Sequence, residues 1–252
     1  MPADTDLQVT WGTRLWYAWV ILWTGIMTVP CAIGQILSHL IRPQATTFQW
    51  WARRWSRGIF KGAGVRVVVH QEASFPADQP YVILSNHQNS YDIPALAAVL
   101  PVPFGFVAKT ELQRIPFLGT AVRFSPSVFL DRSDRRKSME SMKVAAERIR
   151  SGSSVLVYPE GGRSFQPALR PFKRGAFYLA IEAGVPLLPV TVIDAYRLLD
   201  ERSYTARPGT LNVVIGKPIP VAGLNRRDIP ALMEAVRSQM EAALRNTADA
   251  VP

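Results

Sequence analysis

An uncharged, largely apolar segment near the N-terminus limits what this chain can fold into more than any other feature. Between Arg14 and Arg42 no residue is charged apart from the titratable His39, and Trp, Leu, Ile and Val dominate residues 15–41. Since roughly 20 apolar residues in a helix cross the hydrocarbon core of a bilayer, the segment is long enough to span a membrane. Three residues that weaken helices interrupt it: Gly25, Pro30 and Gly34. A kinked span and a two-helix re-entrant hairpin both fit this pattern.

The next segment mixes aromatic with basic side chains on a predicted helix. Its aromatic residues are Phe48, Trp50, Trp51, Trp55 and Phe60, and its basic ones are Arg53, Arg54, Arg57 and Lys61. This mixture suits the headgroup region of a bilayer, although an amphipathic helix packed on its own domain shows it too. Basic residues follow the apolar segment while acids precede it, so the positive-inside rule predicts a cytoplasmic main domain. We expect residues 1–62 to form a membrane anchor and an interfacial helix.

The charge of the chain favours an anionic partner. Lys and Arg number 29 against 19 Asp and Glu, for a net charge of +10. Nucleic acid, an acidic membrane surface and a phosphorylated substrate are all anionic. Aromatic residues interleave with basic ones only beside the apolar segment, so we expect a lipid bilayer as partner and no nucleic acid. The single cysteine, Cys31, cannot form an internal disulfide.

After Gly64 short β-branched runs alternate with helical stretches. The predicted strands are Val65–His70, Tyr81–Ser85, Phe104–Ala108, Val128–Leu130, Ser154–Tyr158, Leu188–Ile193 and Leu211–Ile215. The predicted helices are Ile93–Leu100, Ser133–Ser151, Lys173–Ala183 and Asp228–Asn246. Alternation of this kind is typical of an α/β domain. We therefore expect residues 63–252 to form a mostly parallel mixed sheet flanked by helices, with Ser203–Gly209 as a surface excursion.

A histidine and a carboxylate follow the apolar run Tyr81–Leu84. His87 precedes Asp92 by five residues in the segment Asn-His-Gln-Asn-Ser-Tyr-Asp. An acid that orients an imidazole allows the imidazole to act as a general base toward a substrate hydroxyl. The sequence contains no Gly-x-Ser-x-Gly elbow and no pair of histidines at metal-ligand spacing, so neither an acyl-enzyme nor a metal site is expected.

Further charged groups follow other predicted strands. The run Tyr158-Pro159-Glu160-Gly161-Gly162-Arg163-Ser164 comes after Val155–Val157. Glycines allow close approach of a ligand, and arginine binds phosphate through two parallel hydrogen bonds. A tight turn with a solvated ion pair is the alternative. Asp131-Arg132 ends another strand, and Lys173-Arg174 opens a helix.

In this order the motifs resemble the glycerolipid acyltransferase family, especially its bacterial 1-acyl-sn-glycerol-3-phosphate acyltransferases. The resemblance covers most of residues 65–220. It rests on Asn86, His87 and Asp92; on Lys109, Glu111 and Leu112; on Asp131 and Arg132; on Pro159, Glu160, Gly161, Arg163 and Ser164; and on Val185–Pro189. Two residues depart from the family pattern: Gly162 replaces the usual Thr, and Pro126 stands where a Gly is frequent.

The resemblance implies an O-acyltransferase without a cofactor, in which His87 and Asp92 are catalytic. The residues implied to bind substrate are Asn86, Lys109, Arg132, Glu160, Gly161, Arg163, Ser164 and Lys173. The implied donor is acyl carrier protein or acyl-CoA, and the implied acceptor is the sn-2 hydroxyl of 1-acylglycerol-3-phosphate, which becomes phosphatidic acid. Another lysolipid, such as a lyso-aminolipid or lysophosphatidylethanolamine, is the alternative acceptor. The implied location is the bacterial inner membrane, with the catalytic domain on its cytoplasmic face.

Overall fold

The computed structural model of the protein describes residues 9–130 and 135–248, and some side chains within those ranges, including those of Lys109 and Glu111, lie outside the description. The chain begins with helix α1, Trp11–Ile41, capped by the Thr10 side chain, which accepts a hydrogen bond from the Thr13 amide. Pro30 lies inside α1 without ending it. By length and composition α1 could cross a membrane. Residues 15–41 thus lie in one continuous helix and not in a two-helix hairpin, and a kinked membrane span stays a prediction.

Helix α2, Ala45–Gly62, packs against α1 in the antiparallel direction through tryptophan side chains and glycines. The Trp23 Nε1 donates to the Gly58 carbonyl at 2.8 Å, and the Trp55 Nε1 donates to Thr28 Oγ1 at 2.9 Å. A Cβ added at Gly34 would lie 2.2 Å from the Trp51 ring. Because a side chain there would separate the helices, this glycine permits their close approach.

The body of the protein is built on a seven-stranded sheet. In chain order its strands are β1 Val65–Gln71, β2 Val82–Ser85, β3 Phe104–Lys109, β4 Val128–Leu130, β5 Ser154–Val157, β6 Leu187–Ile193 and β9 Gly209–Ile215. The spatial order is β1-β9-β6-β2-β5-β3-β4. Every neighbouring pair is parallel except β6 with β9. The prediction of a mostly parallel mixed sheet flanked by helices is confirmed.

A small hairpin and six further helices complete the chain. The hairpin joins β7 Leu199–Asp200 to β8 Thr205–Ala206. The helices are α3 Asp92–Val99, α4 Leu118–Arg123, α5 Arg135–Arg150, α6 Gly175–Ala183, α7 Ala195–Leu198 and α8 Ile229–Ala248, and short 3₁₀ turns cover Thr110–Arg114 and Arg226–Asp228. Thr205 and Ala206 are fully buried. The prediction that Ser203–Gly209 forms a surface excursion is therefore wrong for these two residues. Two-residue strands are too short to show a hydrophobic period.

Core residues lie on both faces of the sheet. Alternation along β2 sends Ile83 to one cluster and Val82 with Leu84 to the other. The cluster around Ile83 also contains Val20 from α1 and Phe60 from α2. The N-terminal helices therefore pack on the core of the α/β body. The predicted boundary between residues 1–62 and 63–252 coincides with the end of α2, and a division into separate domains stays a prediction.

The sheet order brings two loops together. Strands β2 and β5 are parallel neighbours, so the chain leaves both at the same edge of the sheet. The loop after β2 carries His87, and the loop after β5 carries Glu160 to Ser164. The two predicted constellations therefore lie side by side.

Candidate active site

His87 and Asp92 form a hydrogen-bonded pair at the end of β2. The His87 Nδ1 lies 2.7 Å from the Asp92 Oδ2. Asp92 is fully buried in the first turn of α3, whereas 12% of the His87 side chain is exposed. A carboxylate on Nδ1 holds the proton there and leaves Nε2 as the free acceptor. The pair therefore has the geometry of a general base with its orienting acid.

Burial disfavours the negative charge of Asp92, whereas the hydrogen bonds that its carboxylate accepts favour that charge. Its Oδ2 also accepts hydrogen bonds from the backbone amides of Gln88, at 2.6 Å, and Asn89, at 3.0 Å. Burial raises the pKa of the Asp92 carboxyl above its ordinary value of 3.8, and the bonds from His87 and the two amides partly offset that rise. Backbone amides that donate to a carboxylate favour its charged form.

Three buried side-chain amides hold the His87 loop. Asn86 accepts from the Val192 amide and donates to the Val192 carbonyl, both at 2.8 Å. Asn89 donates to two carbonyls in the chain after β6, and the side-chain Oε1 of Gln88 accepts from the Tyr196 amide. The predicted substrate contact of Asn86 stays a prediction, because the structure shows its polar atoms bonded to the backbone of β6. The sequence did not predict that Gln88 and Asn89 hold this loop.

Tyr158 lies against the imidazole of His87. The two ring centroids are 3.9 Å apart, and the rings are inclined by 14°. Burial raises the pKa of the Tyr158 phenol well above its ordinary value, and the charge of Asp92 adds to the rise. The phenol therefore stays protonated while its ring restricts the imidazole. Sequence reasoning treated Tyr158 as the end of a strand, because stacking across the β2–β5 pair leaves no local signal.

Glu160 links the two loops. One carboxylate oxygen accepts from the His87 amide at 2.9 Å, and the other accepts from the Arg170 amide at 3.0 Å. Glu160 is 4% exposed, and burial raises the pKa of its carboxyl above the ordinary value of 4.5. The Ser164 amide also donates to the His87 carbonyl at 2.7 Å. Glu160 thus fixes the position of the His87 main chain, and with it the position of the imidazole.

Arg163 is paired with a residue that sequence reasoning missed. Its Nη1 donates to Glu201 Oε2 at 2.6 Å, and 40% of the Arg163 side chain is exposed. Glu201 belongs to the β7–β8 hairpin and also accepts a hydrogen bond from the Ser90 hydroxyl. The ion-pair alternative for this loop therefore holds in part. A single bond to Glu201 leaves the remaining N–H groups of the guanidinium to other acceptors.

The other predicted substrate contacts are distributed around the same loop. Gly161 has a φ of +74°, and a Cβ there would lie 2.6 Å from the Lys173 Nζ, so Lys173 lies directly against the glycine. The Ser164 hydroxyl donates to the Gln166 carbonyl at 3.0 Å. Lys109 ends β3, and its side chain lies outside the described part. Arg132 lies outside the described residues.

An apolar cavity of about 580 Å³ adjoins these groups. His87, Tyr158 and Arg163 line it, together with side chains from α1, α2, α3 and α4. The contributions of α1 and α2 include Ala32, Phe48, Trp51 and Trp55. The base and the arginine therefore face a space whose other walls are apolar, as in sites for ligands with an apolar tail and a polar head.

Comparisons with known proteins identify the fold and the family of the chain. The chain resembles a solved structure, that of the 1-acyl-sn-glycerophosphate (LPA) acyltransferase PlsC from Thermotoga maritima. The two superpose with a TM-score of 0.82 over 94% of this chain and 96% of that one, at 22% identity, so they have the same fold. The 1-acyl-sn-glycerol-3-phosphate acyltransferase of Saccharomyces cerevisiae is 34% identical over 214 residues, which are 82% of this chain and 69% of that protein.

Two human relatives differ in how much of their length is matched. The 1-acyl-sn-glycerol-3-phosphate acyltransferase alpha is 38% identical over 181 residues, 70% of this chain, which spans 63% of that relative's length. The beta protein is 31% identical over 226 residues, which are 89% of this chain and 81% of that protein. The family model described as Acyltransferase matches residues 66–193, from β1 to the end of β6. The chain therefore belongs to the acyltransferase family.

Proposed function

We propose that the protein transfers a fatty acyl group from a thioester donor to the sn-2 hydroxyl of 1-acylglycerol-3-phosphate, which yields phosphatidic acid. The observation that carries the proposal is the His87–Asp92 pair, at 2.7 Å, facing the apolar cavity that Arg163 also lines. The cavity suits an acyl chain, the imidazole suits a hydroxyl, and the arginine suits a phosphate. The names of the relatives support the same activity.

The chemistry follows from the positions of these groups. His87 Nε2 removes the proton of the acceptor hydroxyl while that oxygen attacks the thioester carbonyl carbon. The new C–O bond forms, the C–S bond breaks, and the imidazolium returns the proton to the departing thiolate. Asp92 stabilises the imidazolium, and Tyr158 and Glu160 hold the ring and its backbone. Arg163 and Lys173 bind the phosphate, to which we also assign Lys109, Arg132, Gly161 and Ser164.

The test of the activity is a transfer assay with lysophosphatidate and long-chain acyl thioesters of both CoA and acyl carrier protein. His87→Ala removes the base, and we expect product formation to fall to background. His70→Ala is the matched control, because His70 bonds to Asn212 at the β1 edge of the sheet and not to the site. Activity of the His87→Ala variant comparable to that of the His70→Ala variant would overturn the proposal.

A second acceptor class is favoured by one observation. Glu201 places a carboxylate 2.6 Å from the arginine assigned to the phosphate. A carboxylate there repels a phosphomonoester dianion and attracts an ammonium group, as in lysophosphatidylethanolamine or a lyso-aminolipid. Initial rates with a panel of lysolipids separate the candidates, and a higher kcat/KM with lysophosphatidate supports the first.

We also propose that α1 anchors the protein in the cytoplasmic membrane, with the α/β body on the cytoplasmic face. Large apolar side chains of α1 are exposed, including Trp11, Leu15, Leu22, Leu40 and Ile41. The Arg54 guanidinium lies 4.7 Å from the ring centre of Trp50, an exposed basic and aromatic pair typical of the headgroup region. Protease digestion of right-side-out and inverted vesicles tests the orientation, since cleavage of the body from the outside alone would contradict it.

A further inference from the structure

Several polar side chains of α1 that face α2 have hydrogen-bond partners. Thr24 donates to the Val20 carbonyl, and Thr28 donates to the Thr24 carbonyl. Ser38 accepts from the Trp51 indole at 3.0 Å. Hydroxyls bonded in this way are tolerated in an apolar helix because none of their polar atoms is left unpaired.

Gln35 differs from them, because both polar atoms of its amide are unpaired among the described residues. It is 2% exposed and lines the apolar cavity, yet neither its Oε1 nor its Nε2 has a hydrogen-bond partner in the part of the chain that the structure describes. A buried polar group without a partner lowers stability measurably, so such a group in a native protein requires an explanation. A glutamine in an apolar membrane helix adds to that requirement, since polar groups there commonly serve a site.

The chemistry of the amide defines what could satisfy it. A glutamine side chain offers one acceptor and two donors. Ala32, Phe48 and Trp51 also line the cavity, and their side chains carry no acceptor. A methylene group of a bound chain beside the amide can form a hydrogen bond with neither amide atom, and it displaces any water molecule that could. A hydroxyl group both donates and accepts, so a single hydroxyl can bond to both.

We propose that Gln35 forms a subsite for a hydroxyl group carried on the acyl chain. The inference rests on the proposed function, which places that chain in the cavity. It adds a preference: at one position along the chain a hydroxyl is favoured over a methylene. Gln35 lies before residues 66–193, the part that the family model matches, so this preference belongs to the helical wall and not to the catalytic loops.

The experiment compares acyl-CoA donors of equal length that are unsubstituted or carry one hydroxyl near the thioester, at mid-chain or at the far end. With the wild-type protein and lysophosphatidate we expect one hydroxylated isomer to exceed the unsubstituted donor about tenfold in kcat/KM, the size of effect that one unpaired buried amide produces. Gln35→Leu should bring that ratio to about one, chiefly by a gain with the unsubstituted donor.

The matched control is Gln49→Leu. Gln49 is a buried glutamine on α2 whose Nε2 donates to the Ala97 carbonyl and whose Oε1 is unpaired among the described residues, and it is not among the residues that line the cavity. Its substitution should keep the wild-type ratio. The inference fails if the wild type prefers no isomer, or if Gln35→Leu retains the preference. The proposed function fails separately, if the wild type transfers no donor at all.

Discussion

The two N-terminal helices and the α/β body bury their apolar residues in opposite ways. All seven residues of β6 are buried, whereas only Val20, Cys31, Ala32 and Gln35 are buried in the 31 residues of α1. The strands of the body are buried within the protein, whereas the exposed apolar surface of α1 is of the kind that a bilayer or a partner covers. The proposed site is divided in the same way: the body carries the proposed base and phosphate ligands, and the helices complete the wall of the cavity.

The largest expected effect is on catalysis and tests whether the catalytic base lies in the α/β body. Asp92→Asn removes the charge that holds the His87 proton on Nδ1, and we expect kcat to fall at least about a hundredfold. Acyl transfer by the purified variant measures this. The control Asp228→Asn changes a half-buried carboxyl in the 3₁₀ turn before α8, away from the site, and should retain activity. A fall of less than about threefold with Asp92→Asn would assign the base elsewhere.

The next prediction concerns the contact between the helices. Gly34→Ala places a methyl group 2.2 Å from the Trp51 ring, which its bond to Ser38 holds in place. We expect a loss of about 1–3 kcal/mol in the free energy of unfolding. Thermal unfolding in detergent measures it. Gly25→Ala is the matched control, since apart from its chain neighbours and the backbone of its own helix no described atom lies within 4 Å of a Cβ at that site, and it should be neutral or stabilising. Equal stability of the two variants would contradict the close α1–α2 packing.

The third prediction addresses the phosphate ligands. Arg163→Ala should raise the KM for lysophosphatidate about tenfold, because one charge-assisted contact is lost. Steady-state kinetics with a fixed donor concentration measure it. Arg245→Ala, on the α8 helix that does not line the cavity, should leave this KM unchanged. An unchanged KM for Arg163→Ala would contradict the assignment of the phosphate to this loop.

A smaller change at Glu201 distinguishes the acceptors. Glu201→Gln retains an oxygen that can accept from Arg163 and removes the negative charge. We expect the KM for lysophosphatidate to fall about twofold and the KM for lysophosphatidylethanolamine to rise, since the carboxylate repels one headgroup and attracts part of the other. The same kinetic assay with both acceptors measures it. Changes in the same direction for both would show that Glu201 acts only through the geometry of Arg163.

The smallest expected effect is on the pH dependence of stability. Burial raises the pKa of Glu160 above 4.5, so the folded protein binds the proton more tightly than the unfolded chain. Between pH 4.5 and the raised pKa, stability therefore falls as pH increases. Glu160→Gln removes this contribution, and its melting temperature should decline less steeply over that interval than that of the wild type. Parallel curves for the two proteins would mean that the pKa of Glu160 is not raised.

Much of the body could be predicted from local patterns. The seven predicted strands of the sheet occur within two residues of their expected bounds, because β-branched runs between turns are a local signal. The proximity of His87 and Asp92 was also predictable, since the two residues lie within one loop and one helical turn. The hairpin Leu199–Ala206 was missed, and with it Glu201, whose partner Arg163 lies 38 residues away in the chain.

The sequence by itself determined the family, the α/β class and the pair His87 and Asp92, because each depends on residues close together in the chain. The tertiary structure alone decided that Tyr158 stacks on the imidazole, that Glu201 pairs with Arg163, and that Gln35 reaches the cavity. These three depend on the order of strands and on the way α1 packs. Contacts between distant segments arise from the packing of the whole molecule, and local hydrophobic periodicity carries no information about them.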